Sequence, residues 1–314
     1  MHTTTSTHAS ILDQVGSTPI AQLTTVVPPD AADVLVKLEW FNPTGSYKDR
    51  MALAMVEEAE RRGDLEPGMT VVEYTGGSTG SSLAFVCAAK GHPLKVVSSD
   101  AYAVEKRRTM LAFGADLTVV ESSDGKVTPD LVQRMIAVAA EYAAQPGTYW
   151  TDQLHNRDSL VGYRAVGEEL LAQVDRPIDV FCAAVGTAGL AMGVATALRE
   201  GGSAARIVVL EPASTPVISG GAPGTHSVEG IGIGFVPPLL DDTLYDEVRT
   251  VDEAAGREMA RRLATEEGLF AGTSTGLNVV AAIELARELG PGHTVVTVAC
   301  DTGLKYLAGD LYQH

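Results

Sequence analysis

The stretch "EWFNPTGSYKDRMA", Glu39 to Ala52, places a lysine at the first turn of an expected helix, directly after a Pro-Thr-Gly loop. The positive end of the helix dipole disfavours an ammonium at that point and favours the neutral amine. A neutral amine is a nucleophile toward aldehydes. Lys48 taken alone reads as a solvated helix residue, because lysines are seldom buried. Any chemistry it carries depends on what the chain places around it.

Three loops rich in glycine and hydroxyl residues are candidates for that company. "EYTGGSTGSSLAF" joins a strand ending at Glu73 to a helix starting near Thr79. Gly76, Gly77 and Gly80 allow close backbone approach, and Thr75, Ser78 and Thr79 add donors, which together make an anion nest suited to a carboxylate or phosphate. Taken singly it is equally a tight turn. "CAAVGTAGLAMG" follows the strand Ile178 to Val185, and its residues Gly186, Thr187, Ala188, Gly189 and Leu190 can turn consecutive amides onto a dianionic phosphate at a helix start. It is neither GxGxxG, since Ala188 holds the second glycine position, nor a Walker loop, since no Lys-Ser or Lys-Thr follows. "FAGTSTGLNVV" opens a further helix, with Ser274 between Gly272 and Gly276.

Two of these loops also satisfy GxSxG, the nucleophile-elbow pattern of hydrolases, through Ser78 and Ser274. A hydrolase needs a downstream acid and histidine. For Ser78 the available histidines are His92, His155, His226, His293 and His314, with no HGGG oxyanion motif beside them. An amine, a carboxylate-type nest, a phosphate-type nest and a neutral hydroxyl are, by contrast, the set that pyridoxal phosphate chemistry requires.

The elements that must position these groups alternate between short β-branched runs and longer helix-period runs, the pattern of a parallel sheet with crossover helices. The strands are "DVLVKLEW", "TVVEYT", "LKVVSSD", "DLTVVES", "IDVFCAAVG", "ARIVVLEP" and "TVVTVACD". The helices are Tyr47 to Arg62, Thr79 to Lys90, Val104 to Phe113, Pro129 to Ala144, Ser159 to Ala172, Gly189 to Arg199, Glu253 to Glu267 and Gly276 to Glu288. "AAQPGTYWTDQLHN", Ala143 to Asn156, interrupts the rhythm, which restarts at Ile178. The economical reading is two α/β units with a cleft between them, its chemistry in the loops beyond the strand C-termini.

Composition narrows the partners. A chain of 314 residues with 45% hydrophobic and 20% charged residues can bury a sizeable core. A net charge of −17 without a basic run argues against nucleic acid or an anionic membrane surface. Any anionic ligand must then be held by backbone amides. Cys87, Cys182 and Cys300 are odd in number and lack metal-ligand spacing, so neither a disulfide framework nor a metal site is expected. The polar start "MHTTTSTHASIL" has no signal-peptide pattern, and no apolar run reaches the roughly 18 residues of a membrane span. The expectation is a cytoplasmic protein with a small-molecule substrate.

In order along the chain, "ILDQVGSTPIAQL", "NPTGSYKDR", "EYTGGSTGSSLA", "VEKRRTMLAFGADL", "TDQLHN", "VGTAGLAMG", "VEGIGIGFVPP", "AGTSTG" and "CDTGLKYL" resemble the cysteine synthase and cystathionine β-synthase family of fold-type II pyridoxal phosphate enzymes. The resemblance implies two parallel-type α/β domains like those of tryptophan synthase β, with the active site in the interdomain cleft. Residues 1–40 and 154–314 would form a larger domain that binds the cofactor phosphate, and 41–153 a smaller one carrying the Schiff-base lysine and carboxylate loop. It implies Lys48 as the Schiff-base lysine and proton-transfer base. Thr75, Gly76, Gly77, Ser78 and Thr79 would clamp the substrate carboxylate with the help of Gln153. Gly186 to Leu190 would hold the phosphate, Ser274 the pyridine nitrogen, and Gly230 would line the cleft. A homodimer is the form that the family implies.

Two loops depart from the family pattern. Gly76 stands for the first serine of Ser-Gly-Asn-Thr-Gly, and Ser78 for the asparagine that also reaches the cofactor's 3′ oxygen. In the phosphate loop, Ala188 and Leu190 remove one glycine and one hydroxyl donor. These variants are similar to a subgroup that includes L-cysteine desulfhydrases. The implied activity is β-elimination or β-replacement on L-cysteine or an O-activated L-serine through an α-aminoacrylate, either desulfhydration or cysteine synthesis. Serine or threonine dehydration, a GxSxG hydrolase and a non-catalytic cofactor-binding homologue are the alternatives. Cys87 and Cys182 read as core thiols. Cys300 lies beside Asp301 where it can line the pocket, and His155 reads as a loop polar group.

Overall fold

The computed structural model describes residues 10–313 apart from 124, 126 and 127. Residues 1–9 of the polar start and His314 lie outside the described residues. Ten strands form two sheets. The larger contains β1 (Ile20–Gln22), β2 (Asp33–Leu38), β7 (Val180–Ala184), β8 (Arg206–Pro212), β9 (Glu247–Val251) and β10 (Thr294–Ala299), in the order β1-β2-β10-β7-β8-β9. The smaller contains β3 (Thr70–Tyr74), β4 (Leu94–Ser99), β5 (Asp116–Val120) and β6 (Thr148–Trp150), in the order β5-β4-β3-β6.

All pairings are parallel except β1 with β2. Parallel strands need crossovers. These are supplied by α1 (Lys48–Arg62), α2 (Ser78–Lys90), α3 (Val104–Ala112), α4 (Pro129–Ala143), α5 (Asp158–Gln173), α6 (Gly189–Glu200), α7 (Glu253–Glu266) and α8 (Thr273–Leu289). Every helix and strand expected from periodicity is present, with ends shifted by at most three residues. Three strands were missed. β1 and β6 have three residues each and show no alternation, and the "EVRTV" of β9 carries too many polar side chains to stand out. β6 lies inside the stretch read as an interruption, so that stretch completes the small sheet.

The core has one layer between the sheets and one on the outer face of each. The central layer joins Met51 and Met55 of α1, Leu83 of α2, Tyr163 of α5 and Val194 of α6 to strand residues Val96, Phe181 and Val298. α7 and α8 cover the other face of the large sheet, and α4 that of the small one. Helix α1 packs on both α5 and α2. A buried ion cluster fixes it to α5: Arg50 pairs with Glu39 at 2.6 Å and with Glu169 at 2.7 Å, and Lys37 pairs with Glu169 at 2.6 Å. Removing one partner from such a buried set costs about 3–5 kcal/mol, so α1 cannot easily rotate or slide.

Strand order determines where loops can gather. In the large sheet the chain leaves β7 toward β8 on one side, while β10 flanks β7 on the other; in the small sheet β4 and β6 flank β3 in the same way. Crossovers on opposite sides open a crevice at the strand C-termini. The loops after β7 and β10 meet at one crevice, and those after β3 and β6 at the second.

Candidate active site

Helix α1 starts where it does because the preceding loop is stitched to the end of β10. Tyr47 N donates to Cys300 O at 3.0 Å and Thr302 N to Gly45 O at 2.9 Å. Gly45 has φ +74°, and a Cβ there would lie 2.6 Å from Thr302 Cγ2, so the close approach requires glycine. Ser46 Oγ accepts from Lys48 N at 3.2 Å and donates to Asp301 Oδ1 at 2.5 Å. The lysine at the helix start is therefore held by residues about 250 positions away.

Lys48 is buried, and its Nζ stands 4.6 Å from the Tyr47 ring centroid. Its amine makes no hydrogen bond or ion pair among the described residues. Burial lowers its pKa to about 8, against the partial opposition of Asp301 and Cys300. The amine is thus buried and uncommitted, and about a fifth of it is neutral near physiological pH, far more than of an exposed lysine.

Asp301 is the hub next to it. Its carboxylate accepts from Ser46 Oγ and, through Oδ2, from Ser78 Oγ at 2.5 Å and Tyr306 OH at 3.2 Å. Burial opposes its charge, but Lys305, Lys106 and the two serine hydroxyls hold its carboxyl below the usual range. Lys305 is buried, and its Nζ has no hydrogen-bond partner among the described residues. Lys106 pairs with Glu229 at 2.5 Å and lies 4.7 Å from the Tyr306 ring centroid.

Ser274, at the start of α8, is buried, and its hydroxyl acts on the Cys300 thiol. Burial, then Asp301, pushes the Cys300 thiol up to about 12, so it is no nucleophile at neutral pH.

The loop after β7 leaves the amides of Gly186, Thr187 and Ala188 without hydrogen-bond partners among the described residues, at the N-terminus of α6. They line a small pocket together with Tyr47, Gly189 and Leu190. Ala188 adopts φ +69°, the left-handed geometry for which glycine is the usual residue. A Cβ on Gly186 would lie 2.2 Å from Gly230 O, so the Gly186 and Gly230 loops touch.

The loop after β3 carries Thr75 to Thr79. Gly77 N donates to Thr75 Oγ1 at 3.0 Å, and Thr79 Oγ1 donates to Gln153 Oε1 at 2.8 Å. Gln153 Nε2 in turn donates to Tyr74 O at 3.1 Å, so the glutamine braces the loop. Gln153 N and Thr151 Oγ1 donate to the buried Glu73, whose carboxyl burial pushes up to about 7. Gly76 packs under Tyr102, where a Cβ would meet Cε1 at 2.5 Å. The family's serine has no room there while Tyr102 holds that position.

All the residues singled out from sequence converge. Lys48, Ser78 and Ser274 surround Asp301 and Cys300, Tyr47 ties Lys48 to Gly186–Leu190, Gly230 touches Gly186, and Gln153 meets Thr79. Asp301, Lys305, Tyr306, Lys106 and Glu229 were missed. The available signal was Asp301's place at a strand C-terminus, in a motif quoted without a role. Among the described residues no histidine hydrogen-bonds Ser78 or Ser274: His92 meets Glu60, His155 meets Asp152, His226 meets Gly232, and His293 meets Asp179, while His314 lies outside the described residues. Among the described residues no group of three or more potential ligands forms a metal site, and no helix is long and apolar enough to cross a membrane.

The arrangement fits a phosphorylated pyridine aldehyde. The three unpaired amides and the α6 dipole suit its phosphate, the buried neutral amine of Lys48 its aldehyde, and the Ser274 hydroxyl its ring nitrogen. Comparison with known proteins agrees. Residues 11–301 match the family described as pyridoxal-phosphate dependent enzyme. A cysteine synthase of Staphylococcus aureus (strain N315) is 43% identical over 305 residues, 96% of each chain. The crystal structure of a cysteine synthase from Entamoeba histolytica superposes with TM-score 0.92 at 30% identity, covering 100% of this chain and 93% of that one. A hydrogen sulfide-producing enzyme from Fusobacterium nucleatum superposes with TM-score 0.87 at 30% identity, covering 96% and 99%. The fold, the arrangement of the cleft and these likenesses make this chain an enzyme of the pyridoxal phosphate-dependent family, on its cysteine synthase branch.

Proposed function

We propose that the enzyme removes the β-substituent of L-cysteine or of an O-activated L-serine and passes the product to water or to sulfide. In the first direction L-cysteine and water become pyruvate, ammonia and sulfide. In the second an O-acyl-L-serine and sulfide become L-cysteine and a carboxylate. The names of the relatives, cysteine synthases and a hydrogen sulfide-producing enzyme, support both directions. The observation that carries the proposal is the buried, uncommitted amine of Lys48 beside the free backbone amides of Gly186, Thr187 and Ala188 and the loop Thr75 to Thr79.

Pyridoxal phosphate, when bound, supplies the electron sink that makes the substrate Cα proton labile and lets the Cβ substituent leave. The protein's share follows from its own groups. The amides of Gly186, Thr187 and Ala188, with Gly189 and Leu190 opening α6, bind the phosphate. Thr75 to Thr79, braced by Gln153, bind the substrate carboxylate at the start of α2. Lys48 Nζ takes the Cα proton; with a pKa of about 8 it is a competent base near neutrality. Ser274 offers the ring nitrogen a hydroxyl rather than a carboxylate, which leaves that nitrogen largely unprotonated and favours elimination. Gly230 leaves space at the cleft, since nothing lies within 4 Å of a Cβ built there. We assign 1–40 and 154–314 to the unit that holds the phosphate, and 41–153 to the unit that brings Lys48 and the carboxylate loop.

Purified enzyme incubated in parallel with L-cysteine, O-acetylserine plus sulfide, L-serine and L-threonine, with products identified, tests the proposal. Product from the first two is expected. Turnover of L-serine or L-threonine alone would replace it with a dehydratase, and no product from any of the four would replace it with a non-catalytic homologue.

A further inference from the structure

Ser78 Oγ has one proton, and that proton goes to Asp301. The hydroxyl lies 2.5 Å from Oδ2 of an aspartate that also accepts from Ser46 and Tyr306. A carboxylate accepts only, and a hydroxyl can donate once. Nothing therefore remains on Ser78 Oγ for a ligand except lone pairs. The carboxylate is kept ionised by its surroundings: the charges of Lys305 and Lys106 and the hydroxyls of Ser46 and Ser78 hold its carboxyl below the usual range against burial.

We propose that Asp301 is a positioning residue of the active site, which by taking the Ser78 proton makes Ser78 Oγ a pure acceptor toward bound ligands. This rests on the functional reading above. It reverses the polarity of that position relative to the asparagine of the family pattern, whose amide brings two protons of its own. A ligand group that meets Ser78 must carry a proton, so a protonated ring oxygen, an ammonium or a thiol is favoured there over a bare phenolate. The bound cofactor is then shifted toward the tautomer with a neutral 3′ oxygen, which absorbs at the shorter wavelength.

Asp301 also anchors the start of α1 through Ser46, so loss of activity in a variant would not separate positioning from structure. The test uses four proteins: parent, Asp301→Asn, Ser78→Ala and the double variant. In the cofactor-loaded proteins the ratio of long- to short-wavelength absorption is read without substrate; in the cofactor-stripped proteins, unfolding by urea. An asparagine at 301 can donate to Ser78 and free its proton. Asp301→Asn is therefore expected to raise the band ratio by about one to two orders of magnitude, the worth of one hydrogen bond to a charged group, and to change nothing once Ser78 is alanine. In the stripped proteins the two substitutions are expected to be non-additive. An equal shift in both backgrounds would mean that Asp301 acts on Lys48 through its field, and no shift, or additive unfolding, would mean that the pair is not coupled; each overturns the inference. If none of the four takes up cofactor, the functional reading fails, while unfolding still reads the Ser78–Asp301 bond. Should Asp301→Asn not fold, Ser78→Asn supplies its own donor and must raise the band ratio in the same direction; an unchanged or lowered ratio would overturn the inference.

Discussion

The ionisation of Lys48 converts directly into a rate. An ordinary lysine titrates at 10.5, whereas burial brings Lys48 to about 8. At pH 8 about half of Lys48 is then neutral, against roughly one in 300 for an exposed lysine, a difference of about 3 kcal/mol between protonation states. Because only the neutral amine attacks an aldehyde, the rate of cofactor capture by stripped enzyme should rise with pH and reach half its maximum near pH 8. Two assays read this. Development of the yellow chromophore at each pH gives the rate, and trace acetylation of the stripped protein, followed by peptide mapping, gives the titration of each lysine. Borohydride reduction of the loaded enzyme should leave the cofactor on Lys48. The strongest competitor is Lys305, also buried and with its pKa lowered chiefly by burial. A half-maximum at pH 10 or above would refute the reasoning, as would a reduced cofactor on Lys305, Lys106, Lys37 or Lys90.

Ser78→Asn, which restores an amide donor at the carboxylate loop, should raise the ratio of cysteine formed to pyruvate released by one to two orders of magnitude, the rate equivalent of roughly 1.5 to 3 kcal/mol; side-by-side product assays with O-acetylserine and sulfide would show it. Ser274→Asp should protonate the ring nitrogen and lower elimination relative to transamination about tenfold, with the cofactor retained; an unchanged spectrum and product ratio would remove the contact. Ala188→Gly should stabilise the protein by about 1 kcal/mol, because glycine adopts φ +69° without strain, measured as a higher midpoint in urea. The folded-state pKa of Glu73 is raised from 4.5 to about 7, so the stability linked to it is complete below pH 4.5 and lost as pH rises through 7. That loss is about 3 kcal/mol, and Glu73→Gln should flatten the stability profile between those limits in urea melts.

Much of the molecule was legible in its sequence because the signals are local. Period-two and period-3.6 patterns of apolar residues determine strands and helices within windows of about a dozen residues, and glycine-rich strand-to-helix loops mark anion nests wherever they occur. That is why the Gly186 and Thr75 loops, Ser274 and Lys48 could be named without coordinates. The three-residue strands β1 and β6 lack such a window, and only their neighbours make them strands. Ala188 shows the limit from the other side. Its side chain argues against a left-handed residue, yet the loop after β7 holds it there, because packing around a short loop can offset a cost of about 1–2 kcal/mol.

What tertiary structure alone decided is the electrostatic state of the site. Lys48 is a base near neutrality because it is buried, and Ser78 is an acceptor because Asp301, 223 residues away, takes its proton. Packing of the two sheets across the helices between them brings the ends of β3 and β10 together at the Ser78–Asp301 contact. Neither burial nor partner identity has a sequence period, since both arise where segments distant in the chain meet and exclude water. The sequence by itself determined which groups could do the chemistry. Only the fold determined which of them are neutral, which are charged, and which have a proton to give, because a pKa and a hydrogen-bond direction belong to an environment and not to a residue.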